Sequence, residues 1–236
     1  PRLENAPMPT DQPNEAPNPE GFRQHRYRPP SGATRLLLVR HGESEPAVRG
    51  QRFPLVDGHA DPALHPDGRA QAQRVGERLG VESDIAGIWV TTLRRTHQTA
   101  APLAKRLGIE PQVAADLREV HLGDWEGGEL RWRAADRDPL YLQVIEQRRW
   151  DIIPGAEPRA DFAARLRRGV AMITTAHRGE TVVAVVHGGV IGQLLGDAVG
   201  ADPFAFSGAD NASISELIID GDRQVLRRFN DTAHLG

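Results

Sequence analysis

From residue 35 onward, short apolar runs alternate with stretches whose apolar residues recur every three or four positions. Leu36-Leu37-Leu38-Val39 is a continuous apolar run, as a strand covered on both faces requires. Residues 66–79 read as a helix with Ala72, Val75 and Leu79 on one side and Gly80 ending it. Gly87-Ile88-Trp89-Val90 is the next strand. Thr92 is placed to cap a helix that carries Thr96, Ala100, Leu103 and Leu107 on one face and stops at Gly108. Residues 112–114 are strand-like. Phe162, Leu166, Val170 and Ile173 mark an amphipathic helix, residues 181–186 a β-branched strand, and residues 190–199 a further helix. Residues 213–219 and 224–229, joined through Asp220-Gly221-Asp222, read as a terminal β-hairpin. Strands alternating with helices predict a layered α/β/α fold with a largely parallel central sheet, in which ligands bind beyond the carboxyl ends of the strands.

Residues 1–34 break this pattern. Eight prolines are spread among polar residues, a composition that cannot fold by itself. The chain therefore divides into a proline-rich arm, residues 1–34, and a domain, residues 35–236. The arm is expected to dock on its own domain or on a second subunit, which leaves a homodimer open. A net charge of -3 argues against a protein that coats nucleic acid, although arginines could still gather around an anionic substrate. There is no cysteine, so thiolate metal sites and disulfides are excluded. No apolar run approaches a membrane span, and no signal-peptide core is present, so a cytoplasmic location is the default expectation.

Two histidines fall at the predicted sheet edge. His41 follows the first strand directly, within Arg40-His41-Gly42-Glu43-Ser44, and His187 follows the strand 181–186, ahead of Gly188-Gly189. Gly188-Gly189 opens a helix whose N–H groups and positive dipole end suit a phosphate. Arg40, Arg94 and Arg95 lie at strand-to-helix junctions on the same edge. Arginine's planar fork matches phosphate oxygens, and a cation in the first turn of a helix is unfavourable unless an anion answers it. Glu119 would be an ordinary surface carboxylate if read alone. Asp57, His59, Asp61 and His65 are ligand-type residues, but their spacing fits no specific metal site, and Gly58, Pro62 and Pro66 suggest a loop with solvated charges. Trp125 and Trp132 are expected to fill core or pack a lid rather than line an entrance.

Four blocks, in order, resemble the histidine phosphatase superfamily, the phosphoglycerate mutase-like family. Leu38-Val39-Arg40-His41-Gly42-Glu43-Ser44 is similar to its signature. Residues 91–99, Leu117-Arg118-Glu119 with Gly123-Asp124-Trp125-Glu126-Gly127, and Val186-His187-Gly188-Gly189 look like its later blocks. Asn230-Asp231-Thr232-Ala233-His234-Leu235 is similar to the tail of many phosphatase members. The resemblance implies that His41 is the nucleophile and phosphohistidine. It implies that Arg40, Arg95 and His187 hold the phosphoryl oxygens, with Ser44 and Gly188 beside them, and that Glu119 is the proton donor. Arg94 falls on a variable position. Ala47 stands where many members carry an asparagine that helps hold the phosphate.

These assignments are chemically coherent. A neutral imidazole can attack phosphorus in line, and the covalent intermediate divides one hard step into two. Preplaced cations meet the charge on the equatorial oxygens. The resemblance therefore implies a phosphate monoester hydrolase acting on a small phosphorylated metabolite. It requires no cofactor, no metal, and no nucleic-acid or membrane partner. A cofactor-dependent phosphoglycerate mutase and a non-catalytic phosphate-binding protein are the alternatives. The length of the matched segment and its tail favour hydrolysis. His-Gly-Glu-Ser-Glu, and Arg148-Arg149 as a carboxylate clamp, would favour the mutase. Residues 129–158, which also hold Arg131 and Arg133, are expected to form a lid.

Overall fold

The computed structural model describes residues 24–82 and 84–236. A six-stranded sheet forms its centre, built from β1 (Thr34–Arg40), β4 (Ile85–Val90), β5 (Gln112–Val113), β6 (Thr181–Val186), β7 (Ile214–Asp220) and β8 (Arg223–Asp231). The strand order is β5-β4-β6-β1-β7-β8. The first four strands run parallel, and β7 and β8 pair antiparallel at one side, as the predicted hairpin. β2 (Leu55–Val56) and β3 (His59–Ala60) form a small separate ladder.

The layering follows from the alternation of side chains along each strand. Leu36 and Leu38 of β1, with Val182, Ala184 and Val186 of β6, face α5 (Arg159–Ala176) and α6 (Gly188–Val199), whose Leu166, Ile173, Ile191 and Leu195 complete one core. Leu37, Val39, Val183 and Val185 point the other way, onto Val75 and Leu79 of α1 (Pro66–Leu79) and Ala100 and Leu103 of α2 (Arg94–Leu107). Both faces of β1 and β6 are buried, which is why their sequences are apolar without alternation. α1 has the predicted bounds, with Pro66 in its first turn. α2 stops at Gly108, in the left-handed region at φ 67°.

Two expectations need correction. β1 already includes Thr34, whose hydroxyl donates to His177 O at 2.8 Å, so the domain starts one residue earlier than composition suggests. Residues 1–23 of the arm lie outside the described residues. Within the rest of the arm, Arg227 of β8 sits 4.4 Å from the centroid of the Tyr27 ring. Thr92 does not cap α2. Leu93 occupies the cap position, and the first helical N–H, of Arg94, is answered by the distant Asp61 carboxylate at 2.8 Å. Residues 129–158, unassigned from periodicity, contain α3 (Glu129–Ala135) and α4 (Pro139–Gln147) around a small core of Trp125, Val144 and Ile153. Asp138 caps α4 ahead of Pro139, an Asp-Pro start that was open to sequence reading. Among the described residues, no helix is long and apolar enough to cross a membrane.

Candidate active site

β4, β6 and β1 are parallel neighbours, so their carboxyl ends share one edge. They deliver Thr91, His187 and His41 side by side. The two imidazoles lie 5.2 Å apart, centroid to centroid, at 61°. Both are buried. β7 runs antiparallel to β1, so its entering segment, residues 209–213, lies at the same edge. Asn211 Nδ2 donates to His41 O at 3.0 Å, and the Arg40 guanidinium donates to Ala209 O. The tail holds this segment in turn. Asn230 Oδ1 accepts from Asp210 N at 2.6 Å, and His234 Nε2 donates to Ala212 O at 3.0 Å.

His41 lies 2.8 Å from Gly42 O through Nδ1. A carbonyl only accepts, so Nδ1 carries the proton and Nε2 keeps its lone pair. Burial holds the His41 pKa well below the usual histidine range, helped by the charges of Arg95 and Arg40. His187 is likewise pushed well down by burial and by Arg95. Arg95 Nη2 donates to His187 Nδ1 at 3.3 Å, which leaves His187 Nε2–H to donate to Thr91 Oγ1 at 3.1 Å. Thr91 and Thr96 therefore extend a hydroxyl chain behind the second histidine, with their hydroxyls 3.3 Å apart and Thr96 Oγ1 donating to Leu93 O at 2.8 Å.

The cations are held by neutral partners. Arg95 donates to Ala60 O at 2.8 Å, and burial pushes its pKa down to about 10 against the pull of Glu119 and Asp61. Burial also lowers Arg40. Arg94, by contrast, is paired with Asp61 at 3.0 Å and takes no place beside the histidines. The reading of residues 57–65 as solvated charges is thus wrong for two of them. Asp61 is buried as the partner of Arg94, and His59 is buried with Nε2 3.1 Å from Glu119 O.

Glu119 is fixed from several sides. Its Oε2 accepts from Gly189 N at 3.0 Å and its Oε1 from Val120 N at 2.9 Å. The N-terminus of α6 therefore meets this carboxylate, not an open phosphate cradle as the Gly188-Gly189 pair suggested. Behind it, Arg165 of α5 donates to Asp116 O, Arg118 O and Glu119 O at 2.6–2.8 Å while pairing with Glu157 at 2.7 Å. The buried Glu126 ties Ala60 N to Leu122 N, at 2.7 and 3.0 Å. Sequence reading identified neither role.

A cavity of about 550 Å³ opens over this edge, lined by Arg40, His41, Ser44, Arg131, Trp132 and Asn211 among others. Among the described residues, Arg40 Nε and Trp132 Nε1, on two of the lining residues, are buried without a hydrogen-bond partner. Trp125 is core, as expected, whereas Trp132 lines the entrance. Arg95, His187 and Glu119 sit behind the lining, joined to it through His41 and Arg40. Gly188 packs against Arg40, 3.5 Å from its Nε to a built Cβ. Glu43, His65 and Asp67 are the one grouping of metal-type ligands among the described residues, and His65 is already occupied as the N-cap of α1.

Comparison with known proteins gives the family. The family model described as the histidine phosphatase superfamily (branch 1) matches residues 36–232. Phosphoglycerate mutase-like protein 4 of Arabidopsis thaliana is 33% identical over 205 residues, covering 85% of this chain and 86% of its own. Glucosyl-3-phosphoglycerate phosphatase of Mycobacterium tuberculosis is 35% identical over 196 residues, covering 78% and 85%. A solved structure of the mycobacterial glucosyl-3-phosphoglycerate phosphatase superposes with a TM-score of 0.69 at 32% identity, over 85% of this chain and all of that one.

Proposed function

The chain belongs to the histidine phosphatase superfamily, and from that membership we propose that it hydrolyses a small phosphate monoester through a phosphohistidine on His41, without a metal. One observation carries the reading. His41 is buried and neutral, with Nδ1 occupied by Gly42 O and Nε2 left as a nucleophile beside Arg40 and Arg95. In the proposed reaction, Nε2 attacks phosphorus as the ester P–O bond breaks. Arg40 and Arg95 meet the charge on the equatorial oxygens, joined by His187 once its Nε2–H turns from Thr91 Oγ1 to the phosphoryl group. Glu119 protonates the leaving oxygen, then takes a proton from the water that attacks the phosphohistidine and releases inorganic phosphate. Ser44 lines the approach, and Gly188 packs behind Arg40.

Hydrolysis is preferred to phosphoryl shuttling on the placement of Arg148 and Arg149. Both line a small pocket with Trp150 and Phe204 that shares no lining residue with the cavity over His41, though its Val120 and Gly189 bond Glu119, and Arg149 is already paired with Asp151 at 2.8 Å. Arg149 is therefore engaged elsewhere rather than held free as a carboxylate clamp. The relatives' substrates suggest a phosphorylated small metabolite, and a cavity of this size suits one. The test is release of phosphate from p-nitrophenyl phosphate in the presence of a chelator. Turnover that disappears in His41→Ala supports the reading. Turnover that survives in that variant defeats it.

A further inference from the structure

The scheme above leaves one cation of the cavity unused. Arg131, on α3 of the segment that covers the site, reaches back to the loop directly after His41. It donates to Glu45 O at 2.7 Å and to Ser44 Oγ at 2.6 Å, with its guanidinium 5.6 Å from the Phe53 ring centroid. Both hydrogen-bond acceptors are neutral. Arg131 lines the same cavity as Arg40 and His41, and Ala47 brings only a methyl group to that wall.

Arg40, Arg95 and Arg131 thus gather around one imidazole, each bonded only to uncharged groups. Like charges brought together out of bulk water are costly. Glu43 offsets Arg131 in part, Glu119 and Asp210 offset Arg40, and Glu119, Asp61 and Glu126 offset Arg95. None of these carboxylates hydrogen-bonds the three guanidinium groups among the described residues. A dianionic phosphoryl group would supply the missing charge, and the fork of Arg131 suits its oxygens.

Resting on the phosphohistidine reading, we propose that Arg131 is a third arginine of the phosphoryl-binding set. It contacts the transferring phosphoryl group rather than the leaving group, and so couples α3 to occupancy of the site. The competing role is a staple that merely fastens α3 to Ser44 and Glu45. Glutamine separates the two, because it keeps donors for those acceptors and loses the charge.

The experiment measures inhibition of p-nitrophenyl phosphate hydrolysis by inorganic phosphate in the wild type, Arg131→Gln and Arg131→Lys. A lost charge-assisted contact should raise the phosphate inhibition constant and KM roughly ten- to a hundredfold in Arg131→Gln, and lysine, which keeps the charge but not the fork, should recover part of the loss. An unchanged phosphate constant in Arg131→Gln overturns the proposal, as do equal losses in both variants. Hydrogen exchange on the wild type gives a second reading that does not depend on either variant folding. Phosphate should slow exchange of the amides in residues 129–135, and no slowing there also overturns the proposal. A wild type that binds phosphate but hydrolyses nothing would defeat the proposed function and this inference with it, whereas intact turnover with an unchanged phosphate constant in Arg131→Gln overturns the inference alone.

Discussion

Gly189→Ala should separate proton donation from phosphoryl capture with a single methyl group. Gly189 lies in the first turn of α6 and not in the left-handed region, so alanine fits its backbone. A Cβ built there falls 2.4 Å from Glu119 Oε1 and 3.2 Å from its Cδ. Ordinary contact needs about 3.4 Å, so the carboxylate must retreat by about 1 Å. It is the far end of a flexible side chain, so it can move while the backbone stays. The move weakens the Gly189 N–H bond to Oε2, and a buried donor left unsatisfied costs about 1–3 kcal/mol. Replacing a helical glycine returns about 0.5–1 kcal/mol, so the net stability loss should stay near 1–2 kcal/mol. Catalysis is more sensitive, because a misplacement of about 1 Å can cost on the order of a hundredfold. The assay compares kcat/KM for alkyl phosphates with that for p-nitrophenyl phosphate, whose leaving group needs no proton. The alkyl esters should lose on the order of a hundredfold and the p-nitrophenyl ester little, with Glu119→Gln showing the same pattern. Equal losses across leaving groups, or none, would refute the assignment of Glu119 as the acid.

Three further outcomes follow from the packing and charge of the same region. Gly68→Ala places a Cβ 1.9 Å from Glu43 O, a backbone atom that cannot rotate away, so thermal melting should show a loss of at least about 1–3 kcal/mol; an unchanged midpoint contradicts this. Arg165→Met strips three backbone carbonyls and Glu157 of their donor, and urea unfolding should show about 3–5 kcal/mol lost, a value under about 1 kcal/mol being inconsistent with the clamp. His41 and His187 have folded pKa values below the unfolded 6.5, so the unfolded chain binds more protons in that window. Their contribution to stability is complete above about pH 6.5 and is lost as pH falls toward their folded values, at up to about 1.4 kcal/mol per pH unit for each. Urea unfolding at about pH 7.5 and about pH 5.5 measures it, and a flat profile contradicts neutral buried histidines.

Elements whose ends are written in local chemistry were legible. Pro66 and Gly80 frame α1, and the β-branched run at residues 181–186 is β6 as predicted. His41 and His187 were legible as a pair because each follows a fully buried strand, and parallel pairing of those strands makes them neighbours. Partners supplied from far along the chain were not. The cap of α2 comes from Asp61, the donor to His41 O from Asn211, and the clamp behind Glu119 from Arg165. Nothing near any of these three in sequence distinguishes it from a surface residue. Glu119 itself carried no local signal, and only the resemblance singled it out. Ala47 marked a missing polar group at the cavity wall, but that Arg131 reaches the same wall depends on how α3 folds back.

Trapping the covalent intermediate tests the central claim most directly. The protein is mixed with a radiolabelled phosphate ester, quenched within the first turnover, and digested to locate the label. The account predicts label on His41 that survives alkali and is lost in acid, as a phosphoramidate is, and none in His41→Ala. Rapid turnover with no labelled histidine, or label on any other residue, would contradict it.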